Sequence, residues 1–166
     1  MPNKMSFFRI LIFILFFVSL DQATKFMVST NLSYGESINL LPFLDLTLVH
    51  NTGIAFSFLS EEGPGLRWLL VSLIFSIICY LLYLITKVKD GNKFELFSLL
   101  FILSGGIGNL IDRFFLGYVI DFIHLNYQEY SFYLFNLADS WITIGVTLYI
   151  IYIFFFEKQK HANKTS

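Results

Sequence analysis

The chain contains one cysteine in 166 residues, and Cys79 lies inside an apolar run, so it can form no internal disulfide and says little about redox compartment. It reads as a small apolar side chain within a span. Charge is also scarce, with 14% Asp, Glu, Lys and Arg and a net charge of -1. No concentrated basic surface can be built from that balance, which excludes nucleic acid as a partner. His50 and His124 stand in no metal-ligand spacing such as H-E-x-x-H, so both are expected as surface residues and no metal is expected. Ser19 or Ser140 working with Lys25 would lack any supporting nucleophile motif. There is no internal repeat and no low-complexity segment. No small-residue cleavage site follows Leu20, so the basic, apolar N-terminus is expected to be a retained helix and not a signal peptide.

What the chain does have is apolar length. Hydrophobic residues make up 56% and aromatics 19%, and the mean hydropathy is +0.69, far from the average of a soluble domain. With about 20 apolar residues needed per crossing, four spans are expected, at about 7–28, 68–85, 94–115 and 137–156. The fold expected is a membrane all-α core of four transmembrane helices with a small extracytoplasmic β-hairpin or sheet at about 29–67, all within one domain, 1–166. Lys4, Arg9, Lys87, Lys89, Lys93, Lys158, Lys160 and Lys164 fall on one side of such a threading, against Lys25, Arg67 and Arg113 on the other. The positive-inside rule then puts both termini in the cytoplasm.

The hairpin expectation rests on period two. Leu44, Leu46 and Leu48 alternate with Asp45 and Thr47, and beyond His50-Asn51-Thr52-Gly53 the residues Ile54, Phe56 and Phe58 alternate with Ala55 and Ser57. Glu61-Glu62-Gly63-Pro64-Gly65 reads as a loop that restarts the chain at Trp68, an aromatic suited to the interface.

Against this background the acids stand out, because a charged side chain at the centre of a span costs about 2.5 kcal/mol or more and marks a functional site by default. The threading brings Asp21, Asp112 and Asp139 toward the outer face from three different spans, joined by Asp121 in the connection after the third. Two close carboxylates cannot both ionise, so one can act as an acid while the other activates water, which suits peptide hydrolysis. Each acid also has a plainer reading. Asp139 could cap the fourth helix, Asp112 could pair with Arg113, Asp21 could neutralise Lys25 one turn away, and Asp121 could be a solvated loop residue. Spacing alone would as readily pair Asp112 with Asp139. Gly105, Gly106 and Gly108 lie within a span, where small residues allow close helix packing. A proton-coupled transporter would be expected to show repeats and a midplane site, and a scaffold would leave the acid cluster without a purpose.

Five motifs in order carry a family resemblance: Asp21-Gln22-x-x-Lys25, Asn51-Thr52-Gly53-Ile54-Ala55-Phe56, Gly105-Gly106-x-Gly108-Asn109-x-x-Asp112-Arg113, Val119-x-Asp121-Phe122 and Asn136-x-Ala138-Asp139. Together, over about 7–156, they resemble bacterial lipoprotein signal peptidase, or signal peptidase II, an aspartyl endopeptidase family of the bacterial cytoplasmic (inner) membrane. The resemblance implies Asp121 and Asp139 as the catalytic pair, with Asp112 and Arg113 bracing the third helix and Asn109 and Asn136 positioning groups near the pair. Asp21, Lys25, Asn51, Gly53 and Ala138 become further positions lining or shaping the site, Asn51 as a substrate contact. The implied substrate is a prolipoprotein whose cysteine carries a diacylglyceryl group, cut just before that cysteine at the outer face. Neither metal nor organic cofactor is implied; membrane lipids are the other expected partners, and a monomer is expected.

Overall fold

The computed structural model describes residues 6–53, 64–89, 92–127 and 130–157. Among the described residues four helical segments are long and apolar enough to cross a membrane: α1 (Phe7–Asn31), α2 (Pro64–Lys87), α3 (Lys93–Phe115) and α4 (Leu137–Tyr152), the last with its continuation to Phe155. A π-helical turn, Ile153–Glu157, continues α4. The outward faces are apolar, as on α1 with Phe8, Ile12, Leu15 and Phe16, because lipid competes for such surfaces as well as protein does. Cys79 faces outward in the same way and is not part of the core. α2 begins at Pro64, earlier than Trp68, because the fixed φ and missing N–H of proline suit a first helical turn.

The extramembrane part is a four-stranded antiparallel sheet in the order β1 (Ser37–Leu41), β2 (Leu44–Asn51), β3 (Val119–Tyr127) and β4 (Tyr130–Phe135). This departs from the expected hairpin. The tight turn falls at Pro42 and Phe43, and His50 and Asn51 belong to β2 and not to a turn. The expected second strand at 54–58 lies outside the described residues, as do Glu61, Glu62 and Gly63. The partner of β2 comes instead from beyond α3, with Val49 opposite Asp121 and Asn51 opposite Val119. Asp121 is therefore a strand residue, not a solvated loop residue. Val119, Ile120, Asp121 and Phe122 are all buried, and a strand covered on both faces loses the alternation by which strands are read from sequence.

Two apolar clusters hold these parts together. Leu32 at the end of α1 packs with Leu48, Ile120 and Phe122 of the sheet, while Ile78 and Leu81 of α2 pack with Leu99 and Leu103 of α3. α3 touches each of the other three helices. Its approach to α4 is closest at Gly105, where a methyl group would collide with the Ala138 carbonyl oxygen and lie 2.7 Å from Ile142 Cγ1. At Gly108 it would lie 2.6 Å from Asp21 Oδ2. Such collisions cost about 1–3 kcal/mol in a packed interior. Gly105→Ala and Gly108→Ala should each lower the unfolding temperature in detergent. Gly106→Ala, whose added methyl would meet only Ile78 Cγ1 at 3.7 Å, should leave it nearly unchanged.

Candidate functional site

The site is built in two layers, and the deeper one is centred on Lys25. Asp21 and Lys25 are one helical turn apart on α1 and are its buried residues. Lys25 Nζ lies 2.8 Å from Asp21 Oδ2 and 2.9 Å from Asp112 Oδ2. It donates a further bond to Asn109 Oδ1 at 3.0 Å. All three ammonium hydrogens thus have acceptors, as a buried lysine requires. Asp112 is thereby committed to Lys25, and not to its neighbour Arg113, the partner that one of its alternative readings gave it. Adjacent residues on a helix point about 100° apart, so chain neighbours rarely share a partner.

These acids also tie the helices to their surroundings, Asp21 through its second oxygen and Asp112 through the same oxygen that meets Lys25. Asp21 Oδ1 accepts from the Ala138 backbone N–H at 2.9 Å, joining α1 to the first turn of α4. Asp112 Oδ2 accepts from the Ile120 N–H at 3.1 Å, joining α3 to β3. Gln22, part of the first motif but given no role in the sequence reading, bridges Asp112 Oδ1 at 2.9 Å and the Gly108 carbonyl at 3.1 Å. Its signal was only its place beside Asp21.

The outer layer carries Asp121 and Asp139. Asn136, fully buried between β4 and α4, donates through Nδ2 to Asp121 Oδ1 at 2.6 Å. Its Oδ1 accepts from the Asp139 N–H at 3.0 Å, and Asp139 Oδ2 accepts from the Asn136 N–H at 3.3 Å. This reciprocal arrangement is a capping box at the start of α4, so the capping reading of Asp139 holds as well. Asp139 Oδ1 accepts from Asn109 Nδ2 at 2.8 Å. Because the Asn109 oxygen is occupied by Lys25 and, at 3.2 Å, by Asn136 Nδ2, the Asn109 amide can turn only its NH2 to Asp139. Asn51 donates from Nδ2 to Asp121 Oδ2 at 2.8 Å and accepts from the Gly53 N–H at 2.8 Å. Its side-chain amide is thus engaged by the protein.

Burial pushes the Asp121 carboxyl up to about 6, and the nearby charge of Asp139 adds to the rise; the amide donors of Asn51 and Asn136 and the charge of Lys25 oppose it. Arg113 is half-buried and lies in the electrostatic field of Asp139, Asp121 and Asp112. The last turn of α3 that carries it is held from α2 by Arg67, whose Nε donates to the Arg113 carbonyl at 3.1 Å and whose Nη2 donates to the Phe114 carbonyl. Nothing in the sequence pattern singled out Arg67. His50 and His124, expected at the surface, are half-buried. The His50 ring stacks on Tyr118 at 4.0 Å, and His124 Nδ1 lies 3.4 Å from Thr47 Oγ1.

Comparison with known proteins places this geometry in context. The profile of the family described as Signal peptidase (SPase) II matches residues 12–155. A lipoprotein signal peptidase of Acinetobacter baumannii is 44% identical over 146 residues, spanning 88% of this chain and 83% of the relative. One from Pseudoalteromonas translucida is 42% identical over 140 residues, 84% of each chain. Among solved structures, a bacterial membrane enzyme determined in meso at 1.9 Å resolution superposes with a TM-score of 0.84 at 33% identity, covering 94% of this chain and 99% of that one.

Removing one member of a buried ion-paired group leaves the others uncompensated, at a cost of about 3–5 kcal/mol. Lys25→Met should therefore strongly destabilise the protein to thermal unfolding in detergent. The triple change Lys25→Met, Asp21→Asn, Asp112→Asn, which removes the charges together, should recover part of that loss.

Proposed function

The chain belongs to the signal peptidase II family, and from that premise we propose an aspartic endopeptidase in which Asp121 and Asp139 form the catalytic pair. As a member of that family it is a multi-pass membrane protease that removes signal peptides from lipoproteins. In the proposed reading the substrate is a prolipoprotein bearing a diacylglyceryl-cysteine, cut immediately before that cysteine. Both termini are cytoplasmic, the active site lies toward the outer face of the bacterial cytoplasmic membrane, and the protein works as a monomer among membrane lipids. The observation that supports the pair above all is that one buried amide, Asn136, is bonded to the side chain of Asp121 and the backbone of Asp139 together.

The chemistry follows from the different settings of the two acids. Asp121, buried and with its affinity for a proton raised to about 6, is the acid; Asp139, half-exposed, is the base. Water attacks the scissile carbonyl carbon as Asp139 takes its proton and Asp121 protonates the carbonyl oxygen, giving a neutral gem-diol. In the second step Asp121 takes back a proton from one hydroxyl, the C–N bond breaks, and Asp139 protonates the departing nitrogen. Both carboxyls return to their starting states. Arg113 lowers the cost of negative charge developing on the carbonyl oxygen.

The deciding experiment is cleavage of a diacylglyceryl-modified prolipoprotein by purified protein in detergent, with a chelator present throughout. Wild type should cut before the lipidated cysteine, and folded Asp121→Asn and Asp139→Asn should each lose at least about a thousandfold in rate. Retention of cleavage by both variants would refute the pair.

The pH dependence has a definite sign. The acid is competent only while protonated, so kcat/KM should fall as pH rises through an apparent value near 6. Because the Asn51 amide lowers the Asp121 value, Asn51→Ala should move this limb to higher pH. A shift to lower pH would contradict the assignment of acid and base.

A further inference from the structure

A cavity of about 620 Å³ opens between α2 and α3 on the side of the membrane nearest the sheet. Its size is that of a small-molecule site, yet none of the proposed catalytic groups lines it. Its walls include Val71 and Phe75 of α2 and Ile107 and Ile111 of α3, with Trp68 and Phe114 toward the sheet end. The cause of the opening is local. Farther from the sheet, Ile78 and Leu81 fill the space against Leu99 and Leu103; nearer to it, the corresponding face of α2 presents Ser72 and Ser76. Both hydroxyls turn back to their own helix, Ser72 to the Trp68 carbonyl at 2.7 Å and Ser76 to the Ser72 carbonyl at 2.8 Å. The groove is thus roomy and, along its length, apolar.

Two features specify what fills it. The lining of α3 runs from residue 107 to residue 115, about 12 Å along a helix and close to half of a hydrocarbon core about 30 Å thick. The groove therefore has the depth of one leaflet. At its sheet end stands Arg67, bonded to the Phe114 carbonyl, with its guanidinium carbon 5.3 Å from the centre of the Trp68 ring. Two of its five donors are used by the Arg113 and Phe114 carbonyls. Among the described residues the others have no acceptor. A guanidinium fork beside an interfacial tryptophan, above an apolar groove one leaflet deep, matches a phosphate attached to an acyl chain.

We infer that the groove between α2 and α3 binds one anionic glycerophospholipid, with an acyl chain along Val71, Phe75, Ile107 and Ile111 and its phosphate on Arg67. The groove is lined by neither Asp121 nor Asp139, and although Arg67 also holds the turn of α3 that carries Arg113, lipid retention is read without the reaction. Lipid retention by the full chain purified in detergent tests the inference, read by native mass spectrometry with phosphatidylglycerol, phosphatidylcholine and diacylglycerol of identical chains. A charge-assisted phosphate contact predicts one phosphatidylglycerol per chain, held about tenfold or more tighter than either of the others. Arg67→Gln should abolish that preference, and Ser76→Leu, which fills the groove, should weaken retention of all three. Equal retention of the three lipids by wild type would overturn the proposal without recourse to any variant. So would an undiminished preference in folded Arg67→Gln. Tightest retention of diacylglycerol would also overturn it, assigning the groove to a chain of the lipidated substrate.

Discussion

The ammonium group of Lys25, 1% exposed and held by Asp21, Asp112 and Asn109, is the interaction on which the remaining architecture depends. A charge in that position is tolerable only if every hydrogen has an acceptor and the opposing charges are close. Those acceptors come from α1 and α3, so satisfying one side chain fixes the rotation of both helices about their axes. The second oxygen of Asp21 then reaches the backbone of α4 at Ala138, and Asp112 Oδ2, the oxygen already on Lys25, also takes the Ile120 N–H of β3. Glycine at position 108 is part of the same requirement, since a methyl there would occupy the space of the Asp21 carboxylate.

The consequence for the outer layer is geometric. Lys25 orients the Asn109 amide, and the Asn109 amide presents its donor to Asp139. A buried charge that contributes little net stability, since such pairs roughly offset their own desolvation, thereby fixes a hydrogen-bond direction at the surface of the bundle. The bonds around Asn136 and Asn51 complete the same ordering on the side of Asp121. Polar networks of this kind rigidify a site only when all their members are satisfied, and here each buried amide has partners on both its oxygen and its nitrogen.

The spans were legible because stretches of about twenty predominantly apolar residues have few other readings, and the acids were legible because the bilayer makes them expensive. The sheet was less so. β3 is covered on both faces, which erased its alternation, and its partner β2 lies some seventy residues earlier along the chain, with two spans between them. Local pattern therefore placed a turn at His50 and Asn51 where the chain runs straight on as a strand. The Asp112 partner was not legible for a related reason, since adjacency in sequence offered Arg113 as one alternative while the helix turns the carboxylate toward Lys25. Asp139 shows a different limit. Capping and chemistry were weighed as alternatives, but the capping box uses one carboxylate oxygen and leaves the other to Asn109, so the cap does not remove Asp139 from the polar network around Asp121. Arg67 carried no pattern that set it apart from ordinary polar residues, and Gln22 only its place in the first motif, because their importance lies in which distant carbonyls and carboxylates they meet.

Asp121 rides on a strand of the sheet and Asp139 on the first turn of a membrane helix, with Asn136 at the junction between them. The two carboxylates thus belong to bodies with different mechanical references: the sheet lies outside the spans, while the helix takes its tilt from the thickness of the hydrocarbon around it. Their separation is in effect a gauge of the angle between those bodies. A bilayer thick or thin enough to re-tilt α4 would change the reach from one acid to the other without touching a residue of the site.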